Sequence, residues 1–441
     1  MNILNAVLDV LVQIMSKPAI LVGLIAMTGL ISLKRPIDAV VTGTVKTIMG
    51  FLILSGGAKI VIDAITPLGI LMQEGFGLQG TLPVNEVFTA RAQELYGTQI
   101  SLVFFFAFLV NLLLARFTPM KYVFLTGHHT LFASTMVTGI LGLTIFKNGP
   151  SFALIAVSAL IVGFMMVFFP WLSAPFMEKI TGKNDFVMGH FGTTNYVLAG
   201  WLGEKVGDPK DSTENIHFPG WFGFMKEPLI AMGVIMMIIY LVAGLAAVRV
   251  EGAEEAGRSF LSSDSWWLNC LIQGLTFGAG VGVILLGVHM ILADIVPAFR
   301  GFAEKIVPDA IPALDCPVVF PYGQNAVLVG YLSSIVGGLA AMGLQIAFLP
   351  PGALMGTLGG VILPSMIIHF FVGGTSGVFG NATGGWKGAV LGGFLTGLLF
   401  TLLAGTSLRA ISAIGIFNSC FGDTDFGVVG SILAFISGLF K

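Results

Sequence analysis

Long apolar stretches alternate with short polar segments along almost the whole chain. A helix needs about 20 mainly apolar residues to cross the hydrocarbon core of a bilayer, so a chain of this length has room for about ten such helices. The pattern therefore predicts an all-α polytopic membrane protein with about eleven transmembrane helices. We place these spans near residues 18–33, 37–63, 99–117, 122–146, 151–173, 227–248, 266–294, 323–349, 352–371, 386–405 and 426–440.

The composition excludes a soluble domain. Hydrophobic residues make up 56% of the chain and charged residues only 10%, whereas soluble domains have about 25% charged residues. The net charge of −2 indicates no basic surface for nucleic acid. Residues 1–16 contain Asp9 and no basic region before an apolar core, so we predict no cleaved signal peptide. We expect the chain to remain whole in a bacterial inner membrane.

The most polar stretch of the chain divides it into two parts. We predict a first repeat over residues 1–202, a polar cytoplasmic connecting loop over residues 203–226, and a second repeat over residues 227–405. A C-terminal segment with the last span covers residues 406–441. Short loops rich in Lys and Arg lie in the cytoplasm. The Lys and Arg clusters in the short loops therefore support a cytoplasmic position for the connecting loop.

The two halves share glycine and proline positions at a constant offset. Gly50 matches Gly280 and Pro67 matches Pro297, each 230 positions later. Five spans per half is an odd number, so the second half would insert upside down relative to the first. Inverted repeats of this kind are typical of transporters, whose sites lie between the repeats near the bilayer midplane. The alternative is a chance alignment in a sequence with 59 glycines.

Four segments are too polar to span a membrane and too apolar to be ordinary loops. Their prolines and glycines interrupt regular helices. At membrane depth such backbone is tolerated only inside protein or beside a wet cavity. We therefore predict re-entrant hairpins that meet around a substrate, the alternative being surface loops. The segments form two pairs, Gly75–Ala90 with Pro308–Asn325 and Phe186–Gly203 with Val372–Gly388.

Histidines are the clearest ionisable residues within the apolar stretches. Such groups are rare in spans and usually face the bundle interior. His128 and His129 are adjacent and point about 100° apart on a helix, so we expect one to face a site and the other to brace a neighbouring helix. His190 lies in a glycine-rich hairpin, and we interpret His289 and His369 as structural. Because the histidine and cysteine spacings match no metal pattern, we predict no metal and no cofactor.

Asp315 is the carboxylate that we rank highest as a ligand for a solute. It lies between Pro312 and Pro317 in an apolar segment, where an unpaired charge is costly. A carboxylate accepts hydrogen bonds from several hydroxyls, which suits a sugar-like solute. Glu86, beside Asn85, can do the same from the other half. The alternative for both acids is an ion pair with Lys59, Arg91 or Lys387.

Several of these motifs resemble the ascorbate-type enzyme IIC family, which comprises membrane subunits of the bacterial phosphoenolpyruvate-dependent phosphotransferase system. The motifs are GTVKTIMGF at 43–51, LTGH at 125–128, GH at 189–190, LDC at 314–316 and NAV at 325–327. The resemblance implies a homodimer with a scaffold domain and a core domain that moves like an elevator. It also implies a separate cytoplasmic IIB protein, itself phosphorylated by IIA, that phosphorylates the sugar. This chain would then be a transporter subunit without catalytic residues.

The resemblance further implies a sugar site on the residues that match the family motifs. Two departures concern Phe132 and Phe191, which stand where ascorbate permeases have glutamine, and the pair Asn85-Glu86 replaces another polar pair. The rings offer stacking faces in place of amide hydrogen bonds. We expect L-ascorbate or a closely related sugar acid as the substrate, with a polyol as an alternative. The implied site residues are Asn85, Glu86, His128, His129, Thr130, Leu131, Phe132, His190, Phe191 and Asp315.

Two other functions remain open from the residues alone. A proton-coupled secondary transporter of a small organic acid or polyol would use Asp315 or His128 as its proton carrier. An intramembrane enzyme would use the same two residues as acid and base. The chain contains no nucleophile elbow, Walker loop or dinucleotide fingerprint, so the enzyme is the weaker alternative.

Overall fold

Most of the described chain is helical. The computed structural model of the protein describes residues 18–147, 151–252, 256, 258, 260, 265–348, 360–404 and 419–439. Within these ranges the helices are α1 (Pro18–Ser32), α2 (Ile37–Phe76), α3 (Asn85–Phe117), α4 (Gly127–Thr144), α5 (Phe152–Thr181), α6 (Thr193–Val206), α7 (Pro228–Glu251), α8 (Trp266–Ile306), α9 (Gln324–Phe348), α10 (Met366–Ile368), α11 (Gly374–Leu403) and α12 (Thr424–Leu439). Short 3-10 helices (Thr213–Asn215, Gly220–Lys226 and Cys316–Tyr322) and a π-helix (His369–Gly373) connect them.

Seven helical segments of the described chain are long and apolar enough to cross a membrane. This finding confirms the polytopic membrane class that the hydrophobic pattern predicts. The full number of eleven spans stays a prediction, because the span near 352–371 lies partly outside the described residues. The stretch 122–146 is divided between a short strand and α4. The seven segments are Ile37–Phe76, Leu95–Phe117, Phe152–Thr181, Pro228–Glu251, Trp266–Ile291, Gln324–Phe348 and Met366–Leu403.

Two small parallel sheets lie among the helices, so the prediction of a purely helical fold missed them. The strands are β1 (Gln79–Pro83), β2 (Tyr122–Phe124), β3 (Val187–Met188), β4 (Ile311–Leu314), β5 (Gly360–Ile362) and β6 (Ser419–Cys420). One sheet has the order β5-β1-β6 and the other β2-β4-β3. Each central strand therefore comes from one half of the chain and both of its neighbours from the other half. These ladders pair backbone groups that the helix-breaking prolines and glycines leave outside helices.

The predicted hairpin at Val372–Gly388 is a pair of helical arms joined by a sharp reversal within α11. The backbone leaves helical geometry at Gly384 and Gly385, and Gly385 has a φ of 58°. A methyl group on Gly380 would lie 2.2 Å from the carbonyl oxygen of Gly388. These two positions would be about 12 Å apart along a continuous helix. The chain therefore doubles back here, and only glycine allows the two arms to touch.

Helices α2 and α8 cross closely at glycines that match in the two halves. A methyl group on Gly50 would lie 2.7 Å from the carbonyl oxygen of Gly287, and one on Gly57 would lie 3.1 Å from that of Gly280. Small residues of this kind let helix backbones approach each other where no hydrophobic force drives them together. The matched positions therefore meet at one helix crossing.

Residues 203–226, which we predict as a polar connecting loop, begin inside α6, which ends at Val206, and the part that follows this helix is bonded to the second half. The Glu214 carboxylate accepts hydrogen bonds from the backbone N–H groups of Asn325 at 3.2 Å and Ala326 at 3.0 Å. These amides lie in the first turn of α9, where N–H groups lack helical partners. The side-chain oxygen of Asn381 accepts from the Thr213 N–H at 2.8 Å. The loop is therefore fixed to both α9 and α11.

Candidate functional site

A cavity of about 660 Å³ is lined by residues that follow the strands of both sheets. Small-ligand sites have volumes of about 300–1,000 Å³, so this cavity is large enough for a sugar-sized solute. The lining also contains Glu227, His289, Cys316 and Asp423, which the sequence prediction did not include. Seven of the ten predicted site residues line it, namely Asn85, Glu86, His128, His129, Phe132, His190 and Asp315.

The sheets explain why residues so distant in sequence meet at one cavity. Asp315 directly follows β4, and His190 follows the neighbouring strand β3 after one glycine. Asn85 follows β1 after one residue, and Asp423 follows the neighbouring strand β6 after two residues. Parallel strands present their carboxyl ends at the same edge of a sheet, which is also where open α/β sheets bind their ligands. Each sheet therefore delivers one pair of polar residues to the cavity.

Asp315 is held by one carboxylate oxygen and directs the other towards a histidine. Its Oδ1 accepts a hydrogen bond from the Cys316 N–H at 2.7 Å and so begins the 3-10 helix that follows. Its Oδ2 lies 3.4 Å from Nε2 of His128. The side chain is 34% exposed, so it can still accept hydrogen bonds from a ligand. Its predicted role as a ligand for a solute stays a prediction.

His190 is fixed as a neutral hydrogen-bond donor. Its Nδ1 accepts a hydrogen bond from the Gly192 N–H at 2.9 Å, and the Tyr196 hydroxyl lies 2.9 Å from the same nitrogen. An imidazole that accepts at Nδ1 carries its hydrogen on Nε2 when it is neutral. Burial lowers the pKa of His190 to about 4, which keeps the ring uncharged near neutral pH. The remaining nitrogen therefore offers an N–H group to the cavity.

The two adjacent histidines both line the cavity, contrary to the prediction that only one faces it. Their ring centroids are 4.5 Å apart. The ring of His129 also lies 3.8 Å from that of His190, and Nδ1 of His129 is buried without a hydrogen-bond partner among the described residues. His289, which we interpreted as structural, joins them in the lining. The imidazoles therefore form one side of the site, with polar atoms available to a ligand.

The same residues include ligand types that metals use. The ligand atoms of His128, His129 and Asp315 lie within 4.8 Å of one another. Zinc sites usually take four ligands, or three with an open position for water or substrate. His190 also lies near Asp315, but its free Nε2 carries the hydrogen that the Gly192 contact imposes. The absence of a metal from this site therefore stays a prediction from the sequence.

Asp423 is the main site residue that the sequence analysis missed. Its Oδ2 accepts a hydrogen bond from the Asn85 side chain at 2.5 Å, and the Gly422 N–H donates to Asn85 Oδ1 at 2.9 Å. Two positions later, Asp425 accepts from the Thr193 N–H at 2.8 Å at the start of α6. We predicted residues 406–441 only as the last span. Two aspartates, one just before α12 and one in its first turn, were the available signal.

The three other predicted site residues do not line the cavity. Phe191 is fully buried and stacks on Phe124 with a centroid distance of 5.1 Å. The Thr130 hydroxyl donates to the Thr126 carbonyl oxygen of its own helix at 3.3 Å, and Leu131 is buried in the apolar core. The predicted stacking of Phe191 on the solute therefore has no support in this geometry, whereas Phe132 does line the cavity.

Two of the three cations considered as partners of the acids lie elsewhere. Lys59 is bonded to Asp63 on the surface, with the ammonium 3.0 Å from the carboxylate. Lys387 lies 5.9 Å above the ring of Trp386. The side chain of Arg91 lies outside the described residues. Among the described residues, the cavity acids are therefore not engaged by Lys59 or Lys387.

Comparison with known proteins gives two matches. Residues 13–425 match the family model EIIC-GAT, described as the PTS system sugar-specific permease component, where PTS denotes the phosphotransferase system. A relative from Mycoplasma pneumoniae, the "Ascorbate-specific PTS system EIIC component", is 26% identical, and the match covers 90% of this chain and 66% of the relative. The chain thus spans about two thirds of that relative's length. Both matches confirm the resemblance seen in the motifs.

Proposed function

Because the chain belongs to the family of PTS sugar-specific permease components, we propose that it binds L-ascorbate or a closely related sugar acid and carries it through the membrane for phosphorylation by a separate IIB protein. It is a multi-pass protein of the plasma membrane and a transporter subunit. The phosphoryl group would come from IIB, which IIA supplies. The substrate class follows the name of the Mycoplasma pneumoniae relative.

The observation that carries the proposal is the set of polar groups at the strand ends around one cavity. It combines a fixed N–H donor on His190, a carboxylate acceptor on Asp315 and the amide of Asn85. A solute rich in hydroxyl groups needs both donors and acceptors, and a site with such fixed groups rejects ligands that leave them unpaired. The ring of Phe132 adds an apolar face.

We further propose that the chain works as a homodimer of two inverted repeats and about eleven spans. The recurrence of strands supports the repeat, because β1 and β4 occupy central positions in equivalent sheets. The elements around the cavity would form the core domain, and it would move like an elevator against a scaffold. In such a movement the core carries the cavity with it, so the solute becomes accessible first from one side of the membrane and then from the other.

Direct binding to the purified protein tests the proposed substrate. Titration with ascorbate, other sugar acids and neutral polyols should give the highest affinity for ascorbate or a close relative. Asp315→Asn should weaken this binding, whereas Asp309→Asn, on an exposed turn with a φ of 58°, serves as the matched control. Equal affinity for all solutes, or none for any sugar acid, would contradict the proposal.

Uptake by proteoliposomes separates the coupling mechanisms. Phosphorylated sugar should accumulate only when IIB, IIA and a phosphoryl donor are present. Uptake that persists without them and collapses with an uncoupler would support a proton-coupled secondary transporter. Chemical conversion of the solute without any partner protein would support an enzyme.

A further inference from the structure

The cavity carries an unusual balance of charge for a site that takes a sugar acid. Its described lining contains the carboxylates of Glu86, Glu227, Asp315 and Asp423 but neither a lysine nor an arginine. Sugar acids such as ascorbate are anions near neutral pH. Like charges repel strongly where burial lowers the effective dielectric constant. An anion that enters this cavity therefore meets several carboxylates without a described cation to offset them.

Two of these carboxylates are buried deeply and lie close to each other. The side chains of Glu86 and Asp423 are only 8% and 2% exposed, respectively. Asn85, which directly precedes Glu86, donates its amide hydrogen to Asp423 at 2.5 Å, and the carboxyls of Glu86 and Asp423 interact electrostatically. By contrast, Glu227 is exposed at the start of α7, and Asp315 retains contact with His128.

The other titratable groups that line the cavity with this pair are histidines, together with Cys316, Glu227 and Asp315. The histidines of the lining are His128, His129, His190 and His289, and His190 is held neutral by its burial and its contacts. Behind Asp423, the Asp425 carboxylate is fully buried and accepts from the N–H groups of Thr193 and Thr194. Asp425 therefore brings a further carboxyl, and no cation, next to Asp423.

Burial makes protonation of the pair accessible near neutral pH. It raises the pKa of Glu86 to about 7, and it raises that of Asp423 to about 7 despite the opposing hydrogen bond from Asn85. Both carboxyls lie outside the seven apolar spans. A carboxyl with a raised pKa takes up a proton when a further negative charge arrives beside it.

We propose that Glu86 and Asp423 together form a proton-binding site, and that an anionic substrate enters the cavity with one proton held by this pair. The inference rests on the proposed function, because it concerns the same cavity and the same class of solute. A neutral polyol needs no such proton. The pair therefore responds to the charge of the solute, by binding a proton when the solute is an anion, and does not respond to the shape of the solute.

Titration calorimetry of the purified full chain in buffers of different ionisation enthalpy measures the proton directly. With ascorbate as the probe, proton uptake should rise from near zero at pH 6, where the pair is already protonated, to about one at pH 8. The Kd for ascorbate should rise by up to about tenfold per pH unit above pH 7. A neutral polyol that binds should show neither effect.

Variants assign the proton to this pair. Asp423→Asn keeps an oxygen that can accept from Asn85, and Glu86→Gln keeps the side-chain volume. Each single variant should shift the midpoint of the Kd profile to lower pH, because the remaining carboxyl loses a like-charged neighbour. The double variant should bind ascorbate without proton uptake and with a Kd that is independent of pH. Asp309→Asn should retain the wild-type profile.

The outcomes separate this inference from the proposed function. Ascorbate binding without proton uptake and with a constant Kd from pH 6 to 8.5 would overturn the proton site while leaving the substrate assignment intact. Uptake that persists unchanged in the single and double variants would assign the proton to Asp425 or to the histidines and would also overturn the inference. A dependence on sodium in place of pH would do the same. Failure of every sugar acid to bind at any pH would instead refute the proposed function.

Discussion

Replacement of Phe191 by glutamine tests whether this residue belongs to the sugar site or to the apolar core. The ring is fully buried, and its centroid lies 5.1 Å from Phe124, 5.2 Å from Phe426 and 5.7 Å from Phe169. Loss of a buried phenylalanine ring costs about 3–5 kcal/mol. A buried amide without partners adds about 1–3 kcal/mol. Glutamine retains part of the side chain, so we expect a net loss of about 3–6 kcal/mol.

Phe132→Gln is the matched comparison, because this ring is as deeply buried as Phe191 but lines the cavity. Its new amide could reach the polar groups and the solute there, so the loss of stability should be smaller and the change in substrate preference larger. The assay combines the melting temperature in detergent with competition by a panel of sugar acids. Phe191→Gln should melt several degrees lower than Phe132→Gln. A wild-type melting temperature for Phe191→Gln together with an altered competition profile would refute this reasoning.

Three further substitutions test the site, the hairpin and the connecting loop. Asp315→Asn should weaken sugar binding by about 10–100-fold, which is the equivalent of one charge-assisted hydrogen bond. Membrane insertion should stay normal, because the amide oxygen can still begin the 3-10 helix. Wild-type affinity would remove the residue from the site. Gly380→Ala should lower the melting temperature, because the new methyl group would lie 2.2 Å from a backbone oxygen. Gly56→Ala should leave the melting temperature unchanged, because open space surrounds that position. Equal effects of the two substitutions would argue against the tight hairpin. Glu214→Ala removes the carboxylate that accepts from two backbone N–H groups of α9 and so holds the loop to that helix. Limited proteolysis near residues 207–219 should therefore become faster. An unchanged cleavage rate would contradict the role of this contact.

The helices were predictable because their signal is local. Apolar runs such as residues 151–173 and 323–349 correspond closely to α5 and α9. The strands were not, because they are two to five residues long and their stability depends on partners far away in sequence. Tyr122–Phe124, for example, pairs with Ile311–Ala313. The apolar pattern of three residues cannot distinguish such a strand from the start of a helix.

The site was predictable where a polar residue interrupts apolar sequence and where the family motifs match. Asp315 and His190 satisfy both conditions and line the cavity. Asp423 matches no motif, and its role depends on the pairing of β1 with β6, which brings it to Asn85. Phe191 was misplaced for the opposite reason. Its position follows the motif, but its ring packs among other aromatic rings, and sequence does not reveal the direction of a side chain.

The exchange of strands between the two halves has a consequence for how the protein is made. Leu82 in β1 pairs with Ser419 in β6, 337 positions later. At roughly 5–20 residues per second, the ribosome needs about 17–70 s to synthesise the intervening chain. During that interval the polar backbone of β1 lacks its final partners, and unpaired backbone groups are costly in lipid. The first half should therefore depend on the insertion machinery or on water for its unpaired strand, and the candidate site can close only after β6 has been synthesised.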